Sequence, residues 1–108
     1  VRIFAGGPVQ PELGFVIHGT DYRGPGTVEI TARLAMTSSR EILRDIGSGK
    51  GPMQSLIAFG YAGWAPGQLE GELKRRDWSL APGEPKLIFD EDRDKVWDSA
   101  YAQRTQDL

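Results

Sequence analysis

The chain has 108 residues, of which 39% are apolar and 26% charged, a balance typical of one globular domain with a modest core. Thirteen basic and fifteen acidic side chains leave a formal net charge of −2, so no overall charge attracts nucleic acid, which is a disfavoured partner. The lack of cysteine excludes disulfides and thiolate chemistry, and it is compatible with a reducing cytosol. No apolar run approaches the roughly 20 residues that span a bilayer, so we expect no membrane partner.

The first third of the chain reads as short strands separated by turns. Residues 1–4 predict a strand that ends at Gly6-Gly7-Pro8, because paired glycines before proline interrupt regular structure. Residues 15–18 predict a second strand. Polar and apolar side chains alternate over residues 27–31, which is typical of a half-buried strand, and residues 34–36 are expected to continue it or pair with it.

A helix is predicted next. Ser38 and Glu41 have the spacing of a capping box, in which the serine side chain caps the helix and the glutamate reaches back to the serine amide. We expect this helix to run to about Ile46, with Ile42, Leu43 and Ile46 on its apolar face. Gly47 stands where a left-handed residue would end it.

The second half alternates strands with helices. Residues 53–59 predict a buried strand, and Pro66 is suited to the first turn of a following helix. Residues 86–89, which carry three apolar side chains after Lys86, predict the last strand. Residues 90–94, four of them acidic, lead into a final helix that carries Trp97 and Tyr101. Intermixed strands and helices indicate an α+β or mixed α/β sheet domain.

Residues 60–72 are rich in glycine and contain two aromatic side chains, which is unusual for a connecting loop. Three glycines within eight residues make the backbone costly to order, because glycine loses the most conformational freedom on folding. Burial of Tyr61 and Trp64, a specific turn geometry, or a ligand close to the backbone could offset that cost. We expect the segment to be ordered, with both rings packed.

The candidate ligand site combines this segment with two earlier glycines and the one histidine of the chain. Glycines let a ligand approach the backbone, an indole supplies area and a donor, and a glutamine amide both donates and accepts. Alternatively, the tryptophan covers the core, the glutamine fixes the loop, and the histidine is a hydrogen-bonded structural residue. The predicted ligand-binding residues are Gly6, Gly7, His18, Tyr61, Trp64 and Gln68.

Five motifs occur in the order and spacing of a known family. They are Phe4-Ala5-Gly6-Gly7-Pro8-Val9, Gly14-Phe15-Val16-Ile17-His18, Gly51-Pro52, residues 60–72, and Ile88-Phe89-Asp90 followed by Trp97. Through these motifs nearly the whole chain resembles the YqgE/AlgH family. The resemblance implies a bacterial, cytoplasmic protein with a compact α+β domain, whose mixed, barrel-like β-sheet is flanked by helices. It brings no established catalytic residues. The family name reflects a proposed link to alginate production, which points to transcriptional control but not to direct contact with DNA.

Members of that family carry an additional N-terminal segment, whereas this chain opens at Val1 without methionine. We therefore expect residues 1–108 to form a single domain that lacks this segment. The surface that the segment covers would remain apolar, and a strand near Val1 would present an open edge. We expect the chain to self-associate through strand pairing or an apolar face, unless a separate N-terminal piece fills the gap.

The residues favour a binding or regulatory module over an enzyme. Such a module would contact an unidentified small molecule or protein at residues 60–72 and would need no cofactor. One histidine and no cysteine leave only weak carboxylate sites for metals, so we expect no metal. A small-molecule enzyme would need His18 beside a carboxylate in a cleft. Direct nucleic-acid binding would need one basic face made by Arg40, Arg44, Lys50 and residues 74–76.

Overall fold

The computed structural model describes residues 2–105, in which there are five β-strands, three α-helices and one π-helical turn. The chain divides into two units, Val1–Ala62 and Gly63–Leu108. The first unit contains all five strands and one helix. The second contains the other helices and the π-helical turn.

The five strands of the first unit form one mixed sheet. β1 pairs in parallel with β5, and the other neighbours are antiparallel, in the order β1-β5-β2-β4-β3. The predicted α+β class and mixed sheet are confirmed, but the sheet is open rather than barrel-like, with β1 and β3 as its outer strands. The strands are β1 (Arg2–Ala5), β2 (Val9–His18), β3 (Thr27–Glu29), β4 (Ala35–Thr37) and β5 (Ser55–Tyr61).

One helix, α1 (Glu41–Gly47), supplies the centre of the core in the first unit. Ile42 is fully buried, and it packs with Val16 and Tyr22, which are 4% and 8% exposed. Ile46 and Ile57 pack around this cluster. Ile42 and Ile46 of the predicted apolar face therefore pack in the core. Leu43 does not: it is 49% exposed, because the residue after Ile42 is turned about 100° around the helix axis from it.

The predicted capping box is wrong. The N-cap residue of α1 is Arg40, whose backbone is already helical (φ −70°, ψ −21°) and which makes no side-chain cap hydrogen bond. Because the first helical amides lie further along the chain than the Ser38 pattern assumed, Ser38 is not the cap residue. The helix ends at Gly47, and the left-handed residue that follows is Gly49 (φ 78°) instead of Gly47.

The second unit contains α2 (Gln68–Lys74), the π-helical turn (Lys86–Asp90) and α3 (Val96–Ala102). The strand predicted over residues 86–89 is wrong. Pro85 has helical angles (φ −54°, ψ −37°), and the Glu91 amide donates to the Lys86 carbonyl over 3.0 Å, which closes an i to i+5 turn. A short apolar run fits a strand or a helical turn equally well by periodicity, so the flanking backbone decides.

Each of the three α-helices has seven residues. Across residues 2–105, no helix combines the length and apolar character needed to cross a membrane.

Candidate functional site

The predicted glycines at the start of the chain lie where β1 and β5 end. The Gly6 amide donates to the Phe59 carbonyl over 2.7 Å. A Cβ atom on Gly7 would overlap the carbonyl group of Tyr61, and one on Gly60 would overlap the carbonyl oxygen of Gly7. Gly60 also has a φ of 79°, which favours glycine. These glycines predict that other groups lie close to their backbone. The groups that do so are backbone carbonyls of the same chain.

Tyr61 lies at the end of β5, opposite Val9 of β2. Its ring meets Phe15 edge-on with 6.1 Å between centroids, and its hydroxyl donates to Gln10 Oε1 over 3.1 Å. The side chain is 37% exposed. Tyr61 is therefore held by two contacts within the first unit, as predicted, and still presents part of its ring to solvent.

His18 lies at the opposite end of the same strand pair. It is opposite Ser55, six residues before Tyr61 in β5, a separation of about 20 Å at the usual rise of a strand. The side chain has no exposed area. The structure therefore brings Gly6, Gly7 and Tyr61 together and leaves His18 apart from them.

Both ring nitrogens of His18 are hydrogen-bonded. Nδ1 lies 2.6 Å from the Gly19 carbonyl oxygen, which only accepts, so Nδ1 carries a proton and donates. Nε2 lies 2.7 Å from the hydroxyl of Thr37, which is also fully buried. In the neutral imidazole Nε2 accepts, and the Thr37 hydroxyl is its donor.

This assignment gives one direction to a chain of hydrogen bonds, of which the one between His18 and Thr37 is buried and the others are partly buried. The Thr27 hydroxyl lies 2.7 Å from that of Thr37 and donates to it, since the Thr37 proton is already engaged. The Gly24 amide then donates to the Thr27 hydroxyl over 3.0 Å. Every member has a partner, as buried polar groups require. This geometry is that of a hydrogen-bonded structural histidine, which the sequence left open as the alternative to a ligand contact.

Tyr22 and Asp45 form a polar pair beside this network that sequence reasoning missed. The Tyr22 hydroxyl donates to Asp45 Oδ2 over 2.5 Å, and its ring meets His18 edge-on at 5.5 Å. The hydrogen bond to Asp45, then burial, and then the charges of Asp45 and Glu41 raise the pKa of Tyr22 from 10.0 to about 12. Residues 22 and 45 are 23 positions apart, and no sequence pattern links them. Gly24 leaves room for the pair, because a Cβ atom there would lie 2.8 Å from the Tyr22 hydroxyl.

In the second unit, Trp64 packs edge-on against Trp78 with 5.4 Å between ring centroids. Trp64 is 38% exposed and Trp78 is 47% exposed. Sequence reasoning missed Trp78 as the partner, because the two residues are far apart in the chain and no periodic pattern links them. The pair is a fixed aromatic surface that remains partly open to solvent.

Gln68 fixes the turn that carries Trp64. Its side-chain Oε1 accepts a hydrogen bond from the Ala65 backbone amide over 3.0 Å. Its backbone amide donates a hydrogen bond to the Ala65 carbonyl, also over 3.0 Å. Gly67, with φ at 80°, is the N-cap residue of α2. The glutamine oxygen therefore performs the loop-fixing role that the sequence offered as the alternative to ligand binding.

The positions of the basic residues and of the potential metal ligands bear on the hypotheses of nucleic-acid and metal binding. The basic residues proposed for nucleic-acid binding are divided between the two units: Arg40, Arg44 and Lys50 lie in the first, and residues 74–76 lie in the second. In the part of the chain that the structure describes, no three His, Asp or Glu side chains are grouped so that they could hold a metal ion.

Comparison with proteins of similar sequence supports the family resemblance that the motifs indicate. The family model described as AlgH-like matches residues 1–108. A UPF0301 protein from Sphingopyxis alaskensis is 48% identical over 101 residues, which is 94% of this chain and 54% of that protein. A UPF0301 protein from Methylococcus capsulatus is 46% identical over 100 residues, which is 93% of this chain and 55% of that protein.

A solved structure gives the same result for the fold. The solution structure of the AlgH protein from Pseudomonas aeruginosa aligns with a TM-score of 0.81 at 41% identity, covering 95% of this chain and 54% of that protein. The chain thus spans about half the length of the relatives that it matches. The match to the family model, the identities and the shared fold confirm what the motifs predicted, and the chain belongs to the AlgH-like family.

Proposed function

We propose that this chain is a binding module with a regulatory role in the bacterial cytoplasm, and that residues 60–72 carry its contact surface. One observation carries the proposal: Trp64 and Trp78 form an edge-on pair whose members are 38% and 47% exposed. Of the six predicted ligand residues, the proposal keeps Trp64 and Gln68, which lie in the second unit.

The fixed position of Trp64 makes it suitable for binding. Gln68 and Ala65 exchange two hydrogen bonds, so the turn is ordered before any partner arrives. An ordered tryptophan loses little conformational entropy on binding and offers a large apolar area together with one N–H donor. Half-exposed tryptophans of this kind are the residues that dominate the energy of many interfaces.

The exposure of the pair favours a protein as the partner. A small-molecule site encloses most of its ligand in a concave pocket. Trp64 and Trp78 each present more than a third of their area to solvent, which fits contact with another surface better than enclosure of a small ligand. A module of this kind would act through contact with a protein, and the proposed regulatory role needs no chemistry at the site.

The state of His18 also favours binding over catalysis. Its side chain has no exposed area, and both ring nitrogens are within hydrogen-bond distance of protein oxygens. A general acid or base must reach the proton that it transfers, either directly or through one water. His18 supports the fold of the first unit and gives the enzymatic alternative no accessible acid or base.

Site-specific photo-crosslinking in a bacterial cell tests the proposal. A benzophenone amino acid replaces Trp64 in one variant and Trp97 in the matched control, which is 69% exposed in the same unit. We expect one discrete protein adduct from position 64 and none from position 97. Equal adducts at both positions, or none at position 64, would overturn the proposal.

Binding measurements with the captured protein complete the test. We expect Trp64→Ala to weaken its affinity about 30-fold, the value that corresponds to the loss of an interface hot spot. Trp97→Ala should leave the affinity within about twofold. Trp64→Phe guards against misfolding, because it keeps an aromatic ring against Trp78 and should retain part of the affinity. Unchanged binding by folded Trp64→Ala would contradict the proposal.

A further inference from the structure

The end of α2 holds an arginine in a backbone conformation that favours glycine. The Asp77 amide donates to the Glu72 carbonyl over 2.9 Å, and the residue before it donates to the Leu73 carbonyl over 3.0 Å. These two bonds are those of a Schellman motif, in which the first residue after the C-cap is left-handed and usually glycine. Here that residue is Arg76, with φ at 65°. An arginine backbone is strained in this region, whereas a glycine backbone is not.

Contacts within the chain do not account for the arginine. Its side chain is exposed, and in residues 2–105 no acidic side chain pairs with Arg76 or with Lys74. Arg75 differs, because its Nε lies 3.4 Å from Asp77 Oδ2. The helix dipole favours a basic residue in the last turn, such as Lys74, but it requires no left-handed arginine beyond that turn. Residues held in such conformations cluster at functional sites, which points to a partner outside the chain.

Arg76 lies beside the aromatic pair of the second unit. Trp78 follows it by two residues, so their Cα atoms are at most about 7 Å apart. The Trp78 ring is 47% exposed and packs edge-on against Trp64. A protein interface of ordinary size covers about 800 Å² on each partner, which is far more than one indole ring. A partner that covers Trp78 therefore also reaches the guanidinium of Arg76.

The charges around this surface select the partner. Exposed tryptophan rings can bind a cationic group, but Lys74 and Arg76 would repel it. A carboxylate is attracted instead, because the planar guanidinium of arginine binds it through two parallel N–H donors. Nucleic acid requires basic side chains along an extended path, and Glu70 lies one helical turn before Lys74 on α2. An acidic protein therefore fits this surface better than a cationic ligand or a nucleic acid.

We propose that the surface formed by Trp64, Trp78 and Arg76 binds an acidic segment of a partner protein, with a partner carboxylate on the Arg76 guanidinium. This proposal rests on the proposed function and names the chemistry of its partner. Arg76 is a specificity-determining residue of the contact, present at a position where glycine would stabilise the fold. Arg76→Gly should therefore raise stability and weaken binding at the same time, a combination that misfolding cannot produce.

Peptide selection tests the proposal, with a random dodecapeptide library displayed on phage and the immobilised 108-residue chain as the target. We expect the enriched peptides to carry a net negative charge. Their affinity should fall at least about tenfold in Trp64→Ala and in Arg76→Gly, the usual scale for the loss of an interface anchor. Arg76→Gly should also raise the urea midpoint of unfolding. Arg76→Asn, which tolerates the left-handed conformation, should weaken binding to the same extent.

The matched control is Arg75→Gly. Its guanidinium is already paired with Asp77 and its φ is −79°, so the substitution should leave the affinity within about threefold and should not raise the midpoint. Enriched peptides that lack negative charge, that bind Trp64→Ala normally, or that bind Arg76→Gly normally would each overturn this proposal, as would no enrichment at all.

A labelled single-stranded DNA 20-mer provides the second arm of the test. We expect it to bind more weakly than the selected peptides at physiological salt. Tighter binding of the DNA, lost in Arg76→Gly, would assign the surface to nucleic acid and overturn the proposal. None of these outcomes decides the proposed function, which is judged by the protein adduct at position 64, so the failure of one is distinguishable from the failure of the other.

Discussion

Thr37 is buried and joins His18 to Thr27 in the hydrogen-bond chain of the first unit. Thr37→Val keeps the shape of the side chain but leaves His18 Nε2 without a donor and the Thr27 hydroxyl without an acceptor. We expect this substitution to lower the free energy of unfolding by about 1–3 kcal/mol, the usual penalty for buried polar groups that lose their partners.

The control for this measurement is Thr20→Val, which removes an exposed hydrogen bond to the Ala32 carbonyl. It should change stability by less than about 0.5 kcal/mol. Urea unfolding of both variants gives the comparison. Equal midpoints for Thr37→Val and the unmodified chain would show that the network adds nothing to stability.

Tyr22 gives the first unit a dependence on alkaline pH. Its pKa is raised to about 12, so the folded chain keeps the phenol proton at pH values where the unfolded chain loses it, above about 10. The stabilisation is complete below pH 10 and is lost as pH rises towards 12. We expect the stability difference between the unmodified chain and Tyr22→Phe to shrink across this range. A stability difference that stays constant up to pH 12 would contradict the raised pKa of Tyr22. In an absorbance titration, Tyr22→Phe should lose the phenolate step near pH 12.

At the residue scale, the sequence predicted tight packing around the glycines but not what packs there. Gly6, Gly7 and Gly60 indicated a close backbone approach, and the neighbour is the chain's own carbonyl groups. The sequence could not show this, because Gly7 and Gly60 meet only through the pairing of β1 with β5, which are far apart in the chain.

At the element scale, the start of α1 contains a buried hydroxyl that does no capping. The Oγ atom of Ser39 is buried without a hydrogen-bond partner, and the N-cap residue Arg40 makes no side-chain cap bond. We expect Ser39→Ala to leave stability unchanged or to raise it by about 1 kcal/mol, because it removes an unpaired polar group from the interior.

Ser38→Ala distinguishes this arrangement from the capping box that the sequence predicted. A true cap would cost about 1 kcal/mol on removal. Since Ser38 is not the cap residue, we expect its substitution to change the unfolding midpoint within error. A loss of about 1 kcal/mol for Ser38→Ala, with Ser39→Ala also destabilising, would restore the capping box.

Elements defined by periodicity and strong breakers were predictable. The sequence predicted the core face of α1 correctly at Ile42 and Ile46 and wrongly at Leu43, which is exposed. It also predicted that residues 34–36 would continue or pair with the strand before them. The error over residues 86–89 has a different origin. An apolar run of three residues carries no periodicity that separates a strand from a helical turn, and the backbone before it decides: Pro85 has helical angles.

At the scale of the whole molecule, weak net charge is combined with an exposed apolar side chain on an outer strand, Val28 of β3. The sequence pI is about 5.3, and the formal net charge at pH 7 is −2. Two copies therefore repel each other weakly at neutral pH, and this repulsion disappears as pH falls to the pI. Attraction between apolar side chains involves no titrating group, so it persists across this range.

We therefore expect self-association of the chain to strengthen as pH falls from 8 towards 5.3. Val28 lies on the outer strand β3 and is 58% exposed, so Val28→Glu should weaken the association at every pH above the pKa of a solvent-exposed carboxylate. Light scattering at fixed micromolar concentration measures both trends, with Leu43→Glu as the control because it adds the same charge on α1. Since the two variants have equal net charge, a difference between them isolates the contribution of β3. Identical curves for the two variants would assign the association to net charge alone and exclude β3 from the contact.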